Sequence, residues 1–317
     1  MKSLWLEERT LSLRDIDRPT PVSGEALVRV RLAGICATDL ELVKGYYPYS
    51  GVPGHEFVGE IVAAPDAPER VGERVVGEIN AVCGNCGTCH RGHPRHCERR
   101  TVLGIVNRNG AFAEFLTLPL ANLLAVPAHV PDEAAVFTEP LAAALEIRSQ
   151  VAIGPGDRVL VIGAGRLGQL IARSLLPSGA RIEALVRHAR QRERLHAAEV
   201  AAISEEELPS RAVDVVIEAT GSHSGFALAQ RAVRPRGVIV LKSTYAGRLE
   251  IDAAPIVVDE ITIVGSRCGE FAPALEMLSA GTIDPRDLID GERPLRDGLA
   301  AFEQAGQPGA LKILLQP

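Results

Sequence analysis

The chain reads as an α/β protein of two domains, one a barrel-like unit of short strands and the other a doubly wound parallel sheet. Three observations carry this. Its 317 residues exceed the ~250–300 at which one hydrophobic core stops growing. Up to about residue 139, short β-type runs are punctuated by Gly and Pro. From Asp157 onward, near-continuous apolar runs alternate with helical patterns, the mark of βαβ units whose sheet is covered on both faces.

In the first part, Ala26–Leu32, Phe57–Val62, Glu73–Val76 running on to Glu78, and Ala111–Leu118 read as strands. Pro131 to Gln150 reads as helix, with Asp132 as its N-cap and Pro140 forcing a kink or a restart. The second part offers strands at Arg158–Ile162, Arg181–Val186, Val213–Ala219, Gly237–Leu241 and Ile261–Gly265, with a helix after the first running through Leu176. Ala272–Ala280 then reads as helix and Leu311–Leu315 as a terminal strand.

Composition narrows the function classes. A hydrophobic fraction of 46% with 23% charged residues is ordinary for a globular protein. A net charge of -6 without a concentrated basic stripe argues against nucleic acid as partner. No apolar run reaches the ~18 residues of a membrane span, and the first ten residues lack a signal peptide's apolar core, so a cytoplasmic protein is expected. Cysteines at 83, 86, 89 and 97 cluster while Cys36 and Cys268 stand apart, and in a reducing compartment such a cluster reads as metal ligands.

That cluster, CGNCGTCHRGHPRHC, spaces Cys83, Cys86, Cys89 and Cys97 closely enough to wrap one tetrahedral ion, and a closed four-thiolate shell implies a structural zinc. His90, His93 and His96 are alternative ligands, and ligand type alone leaves an iron–sulfur centre open. The stretch GICATDLELVKGYYPYSGVPGHE, Gly34 to Glu56, holds Cys36 and His55, the ligand types zinc prefers, though two ligands are not a site.

GAGRLG, from Gly163 through Gly165, Arg166 and Leu167 to Gly168, follows the strand RVLVI directly and opens a helix. In that context the first Gly permits the turn, the second lets a pyrophosphate approach the backbone, and the third lets helix and strand pack closely. The phosphates then meet the positive helix end. At the end of the next strand no carboxylate stands ready for a ribose 2′-hydroxyl. Arg187 and Arg190 are there instead, which suits the 2′-phosphate of NADP in preference to NAD, unless they only face solvent at a helix start.

With GHE, the four-cysteine lobe, TEPLA and GAGRLG all present along the chain, it resembles the zinc-containing medium-chain alcohol dehydrogenase family, in the Glu-Pro branch of sorbitol, threonine and glucose dehydrogenases. The resemblance implies a GroES-like catalytic domain over residues 1–139 and 266–317, carrying the zinc lobe 83–97, interrupted by a Rossmann domain over 140–265. It implies Cys36, His55 and Glu139 as catalytic-zinc ligands with Glu56 able to exchange in, Asp39 orienting His55, and Thr38 passing the alcohol proton. Thr220 is expected beside the nicotinamide ribose and Lys312 near the cofactor phosphates. Two zinc ions per chain and a homodimer or homotetramer follow from the same resemblance, the latter through Ile261–Gly265 as edge strand.

The chain also departs from the family pattern. Glu41 stands where many relatives end the proton relay with a histidine, and Ala37 where some carry an arginine for the pyrophosphate. The sequence is shortened between Glu199 and Asp214, which is expected to thin the second half of the Rossmann sheet. The implied reaction is reversible alcohol oxidation on a small alcohol or carbonyl substrate, with zinc as Lewis acid and hydride passing to the nicotinamide. Tyr46, Tyr47 and Tyr49 either line the substrate site or fill a Pro-rich turn. Two other readings are a zinc-independent reductase of the same superfamily and a nonenzymatic zinc-stabilised nucleotide-binding protein.

Overall fold

The computed structural model describes residues 1–244 and 247–317. The chain divides into two compact units, one of residues 1–139, 271–307 and 312–317 and the other of 140–270 and 308–311. Among the described residues no helix is long and apolar enough to cross a membrane.

The first unit begins with the hairpin of β1 (Lys2–Glu7) and β2 (Thr10–Asp15). Then come β3 (Glu25–Gly34), α1 (Ala37–Lys44), β4 (Glu56–Ala63) and β5 (Arg74–Gly77). The small ladder of β6 (Asn80–Ala81) and β7 (Thr101–Val102) flanks the cysteine lobe with its short helix α2 (Gly87–His90), and β8 (Phe115–Pro119) and β9 (Leu123–Ala125) follow. β3 is the hub of the sheet, pairing antiparallel with β4 (Gly34 opposite Glu56) and with β8 (Val28 opposite Leu116). Val28, Leu32, Phe57, Leu116 and Leu118 are buried there.

The strand expected over Ala111–Leu118 starts only at Phe115. Residues 110–112 are engaged elsewhere, Gly110, Ala111 and Phe112 donating to the carbonyls of Val52, Gly54 and Pro53. Those bonds hold the loop that ends in His55. Asp132 is not an N-cap but the first residue of α3 (Asp132–Ala135), behind Pro131. Its carboxylate is taken by Arg31 at 2.7 Å and Arg74 at 3.1 Å, and charge-assisted bonds of this kind outweigh one capping bond. The helix restarts as α4 (Thr138–Gln150). Pro140 lies in its first turn, where a missing N–H is harmless.

The second unit is a six-stranded parallel sheet. In chain order it runs β10 (Arg158–Ile162), α5 (Arg166–Leu175), β11 (Arg181–Leu185), α6 (Ala189–Ala197), β12 (Ala201–Ile203), β13 (Val213–Glu218), α7 (His223–Ala232), β14 (Val233–Leu241), α8 (Ala253–Val258) and β15 (Thr262–Gly265). The strand order β12-β11-β10-β13-β14-β15 is the doubly wound 3-2-1-4-5-6 arrangement. Leu160, Ile162, Leu185, Val216, Ile239 and Phe226 pack in its core. The shortening falls between Glu199 and Asp214 as expected, but it does not thin the second half of the sheet, where β13, β14 and β15 are intact. β12 keeps three residues, and no helix follows it among the described residues before β13. A crossover can shed its helix because the sheet core is closed by the remaining elements, whereas losing a central strand would expose two backbone edges.

After α9 (Phe271–Ser279) the chain adds β16 (Ile289–Pro294), α10 (Gly298–Ala305) and β17 (Lys312–Gln316) to the first unit. β17 pairs with β3 on the edge not taken by β4, Leu314 opposite Gly34. Thus β3, β4 and β17 bring Gly34, Glu56 and Lys312 together.

Candidate metal centres and dinucleotide site

Cys36 closes β3 and serves as N-cap of α1, which sets its sulfur at the positive end of that helix. Asp39, wholly buried, does two jobs: Oδ2 accepts the Cys36 N–H at 2.8 Å, and Oδ1 faces His55 Nδ1 at 3.3 Å. With Nδ1 turned to a carboxylate, Nε2 is left for a metal, as ligating imidazoles require. Ligand atoms of Cys36, His55 and Glu56 lie within 4.8 Å of one another. Glu56 Oε1 is buried without a hydrogen-bond partner while Oε2 accepts from Lys312 Nζ. A buried, unsatisfied carboxylate oxygen beside a thiol and an imidazole is what a zinc ion would complete, so the donors fit the metal.

Lys312, expected near the cofactor phosphates, makes its ion pair inside the first unit. Its side chain is only 2% exposed, its ammonium is spent on Glu56, and it sits 5.6 Å over the Phe137 ring. β17 adds beside β3 on the side away from β4, and the side chain of its first residue reaches past Gly34 to the metal-site carboxylate. Gly34 makes the room: a Cβ there would overlap Glu56 Oε2 and crowd the Lys312 stem at 3.3 Å.

Glu139 is buried near the start of α4 and stands outside the converging trio. Burial pushes its carboxyl up to about 7, with His55 opposing the rise and the carboxylates of Glu56 and Glu78 adding to it. For His55, burial is the largest influence and disfavours the imidazolium. Asp39 and Cys36 together outweigh it and raise the imidazole well above its ordinary value. Without metal, both groups hold protons more tightly folded than unfolded. For Glu139 the stability this lends is fully present below its ordinary value of 4.5 and is lost as pH rises through about 7; for His55 it is fully present below 6.5 and is lost only as pH rises well above that. A metal must displace those protons. Zinc affinity of this site is therefore expected to weaken as pH falls below 7, by about tenfold per pH unit for each proton displaced. Competition with a chelator at pH 8 and pH 6 measures it, and equal affinities would contradict the assignment.

Thr38 Oγ1 lies 3.8 Å from Cys36 Sγ, on the first turn of α1. Glu41 is one turn further along, and its carboxylate accepts from Lys44 at 2.7 Å. Tyr49 is fixed by its own hydroxyl, which donates to Val52 O at 2.7 Å and Arg108 O at 3.0 Å, whereas Tyr46 and Tyr47 are exposed.

In the cysteine lobe all four thiols are free of disulfides and their sulfurs converge. Cys83–Cys97, Cys86–Cys89 and Cys86–Cys97 are separated by 3.4, 3.5 and 3.8 Å. Sulfurs ~2.3 Å from a common zinc at tetrahedral angles stand about 3.8 Å apart, so the spacing fits. Backbone N–H groups of Glu98 and Cys89 hold the Cys86 thiol down to about 6. Burial and the neighbouring sulfurs push Cys89 up to about 11, a crowding that a cation relieves. His90 and His93 are exposed and outside the converging group.

In the second unit the three glycines of the loop have separate reasons. Gly163, at φ 100°, passes so close to the next strand end that a Cβ would sit 2.7 Å from Ala219 O. At Gly168 a Cβ would overlap the Gly163 carbonyl. Gly165, the N-cap of α5, has nothing within 4 Å of a built Cβ, and no side-chain hydrogen bond caps the helix at that residue. That is the cradle a pyrophosphate occupies. Arg166 donates to Leu311 O at 2.6 Å, Leu167 lies in the first turn, and Gly309 packs on His188. Residues 308–311 thus border the loop, a contact between segments far apart in the chain that no local pattern signals. Thr220 lies at the end of β13, its N–H and hydroxyl both on Glu218 Oε1 at 2.8 and 2.5 Å. Arg187 is exposed and paired with Glu205, and Arg190 is exposed at the start of α6.

Residues 22–128 match the alcohol dehydrogenase GroES-like domain, and 167–280 the zinc-binding dehydrogenase domain. The chain is 32% identical to an L-threonine 3-dehydrogenase of Streptomyces avermitilis, over 99% of both chains. It is 30% identical to D-arabinitol dehydrogenase 1 of Uromyces fabae, over 100% of this chain and 97% of that one. Among solved structures, an alcohol dehydrogenase (rspB) from E. coli CFT073 complexed with NADH superposes with a TM-score of 0.91 at 30% identity, over 100% and 99% of the two chains. A zinc-binding dehydrogenase from Sinorhizobium meliloti bound to NADP gives 0.89 at 27% identity, with the same coverage. The fold, the donor sets and these matches agree: the chain belongs to the zinc-containing medium-chain alcohol dehydrogenase family, oxidoreductases that act on CH–OH groups with NAD(P).

Proposed function

We propose that this protein interconverts a small polyol or related secondary alcohol and its carbonyl compound, using one catalytic and one structural zinc per chain. The observation that carries the reading is the convergence of half-buried Cys36 with buried His55 and Glu56, whose charges also act on Glu139. The polyol class is supported by the likeness to an arabinitol dehydrogenase and by a chain with only 4% aromatic residues, a composition poor in aromatic pocket walls.

Cys36, His55 and Glu139 would hold the catalytic zinc with Glu56 able to enter the shell, and Cys83, Cys86, Cys89 and Cys97 the structural one. When bound, the catalytic zinc supplies a Lewis acid for the alcohol oxygen and the nicotinamide supplies the hydride acceptor. Asp39 keeps the His55 ring oriented, and Lys312 balances the charge of Glu56. Thr38 carries the alcohol proton outward along α1, with Glu41 as the next acceptor in place of a histidine. Thr38→Val is expected to lower kcat by about 10²-fold with little change in cofactor affinity. A kcat within twofold of the parent would remove Thr38 from the relay.

The glycine loop, with Arg166 and Leu167 opening α5, would bind the pyrophosphate, and Thr220 would lie at the nicotinamide ribose. Arg187 and Arg190 favour NADP over NAD, their planar forks matching a 2′-phosphate. β15 ends the parallel sheet with an unpaired edge among the described strands, and pairing of two such edges would give a homodimer, or a tetramer by repetition. Assay of a polyol, alcohol and ketone panel with both cofactors tests the reading: turnover of vicinal polyols supports it, and absence of hydride transfer on every substrate would refute it.

A further inference from the structure

Arg187 has a charged neighbour that does not come from its own strand. β11 and β12 run parallel with Leu185 opposite Ile203, and Val186 N–H donates to Ile203 O at 3.0 Å. Both strands therefore release the chain at the same carboxyl edge of the sheet. Just past β12, Glu205 Oε2 lies 3.3 Å from Arg187 Nη2. Its backbone is held in place: the Glu205 carbonyl accepts from Arg231 Nη2 at 3.2 Å, and the preceding Ser204 N–H donates to Glu207 at 2.7 Å. Since no helix follows β12 among the described residues, nothing carries this acidic segment away from the edge.

The two side chains are 54% and 47% exposed, and an exposed ion pair of this kind holds its partners only weakly. Either partner can therefore be exchanged for a ligand. β11 ends without a carboxylate, the group that ordinarily accepts from the ribose 2′-hydroxyl of NAD. Glu205 brings one to the same corner from the neighbouring strand. A 2′-phosphate has to take Arg187 from Glu205 and then sit beside a like charge, whereas an unphosphorylated ribose meets an acceptor already in place.

We propose that Glu205 is a specificity-determining residue at the ribose corner, drawing the protein toward NAD while Arg187 draws it toward NADP. This rests on the dinucleotide reading of the glycine loop. The test is titration of the zinc-loaded protein with NADPH and with NADH, following nicotinamide fluorescence, for the parent, Glu205→Gln and Arg187→Met. Glu205→Gln is expected to move the Kd ratio toward NADPH by about tenfold, what one charge-assisted hydrogen bond contributes at a half-solvated site. Arg187→Met is expected to move it the other way, chiefly by weakening NADPH. A Glu205→Gln ratio unchanged within twofold, in protein with the parent's thermal midpoint, overturns the proposal. Failure of the underlying reading looks different, since the parent would then bind neither dinucleotide. A parent that prefers NADH would overturn only the NADP preference, because the shift on Glu205→Gln would still be read.

Discussion

Cys36→Ser or His55→Ala is expected to lower kcat by about 10³-fold or more, because each removes a donor from a site whose remaining groups cannot hold the metal in place. The effect should be local. Both residues belong to the loops beside β3 and β4, whereas the four lobe cysteines form their own cluster, so the structural zinc should remain. Asp39→Ala is a useful companion. It leaves the ligands but deprives His55 of its orienting carboxylate and Cys36 of its backbone acceptor, and is expected to cost a smaller factor of about 10–100. Steady-state kinetics on protein of verified metal content decides the matter. Retained turnover in Cys36→Ser would mean that another residue completes the site.

The largest stability effect is expected from Lys312→Met. The substitution keeps the volume of the stem but leaves the Glu56 carboxylate buried beneath a neutral neighbour, with its side chain 1% exposed and Oε1 already lacking a protein partner. Breaking a buried pair from one side costs about 3–5 kcal/mol, since the surviving charge has neither water nor a counter-ion. Denaturant unfolding of the metal-free protein measures it. The double variant Lys312→Met with Glu56→Gln should recover much of the loss, because no charge then remains unpaired. A single variant within 1 kcal/mol of the parent would show that Lys312 is not the partner that stabilises Glu56. In zinc-loaded protein the loss should be smaller, as the metal takes over part of the charge.

How much of this was legible beforehand differs by residue. The strand RVLVI with its glycine loop is local, and its register, helix and close packing follow from a dozen contiguous residues. The cysteine lobe is equally local, its four sulfurs falling within fifteen residues and converging as the spacing implied. The catalytic site is not local, and only the family resemblance joined Cys36, His55 and Glu139 across the chain. What the sequence hid were partners made by sheet topology. Lys312 meets Glu56 because β17 adds to the free edge of β3, and Gly34 is a glycine because those two side chains cross over it. Glu205 reaches Arg187 only because β12 lies beside β11 and the following crossover lacks a helix. Asp132 misled as a cap because two arginines distant in sequence claim its carboxylate.

Zinc content per chain, compared between the parent and Cys36→Ser, tests the central claim most directly. Two converging donor sets predict two zinc ions per parent chain and one in the variant, the survivor being held by Cys83, Cys86, Cys89 and Cys97. One zinc in both proteins, with parental turnover, would contradict a catalytic metal at Cys36, His55 and Glu56.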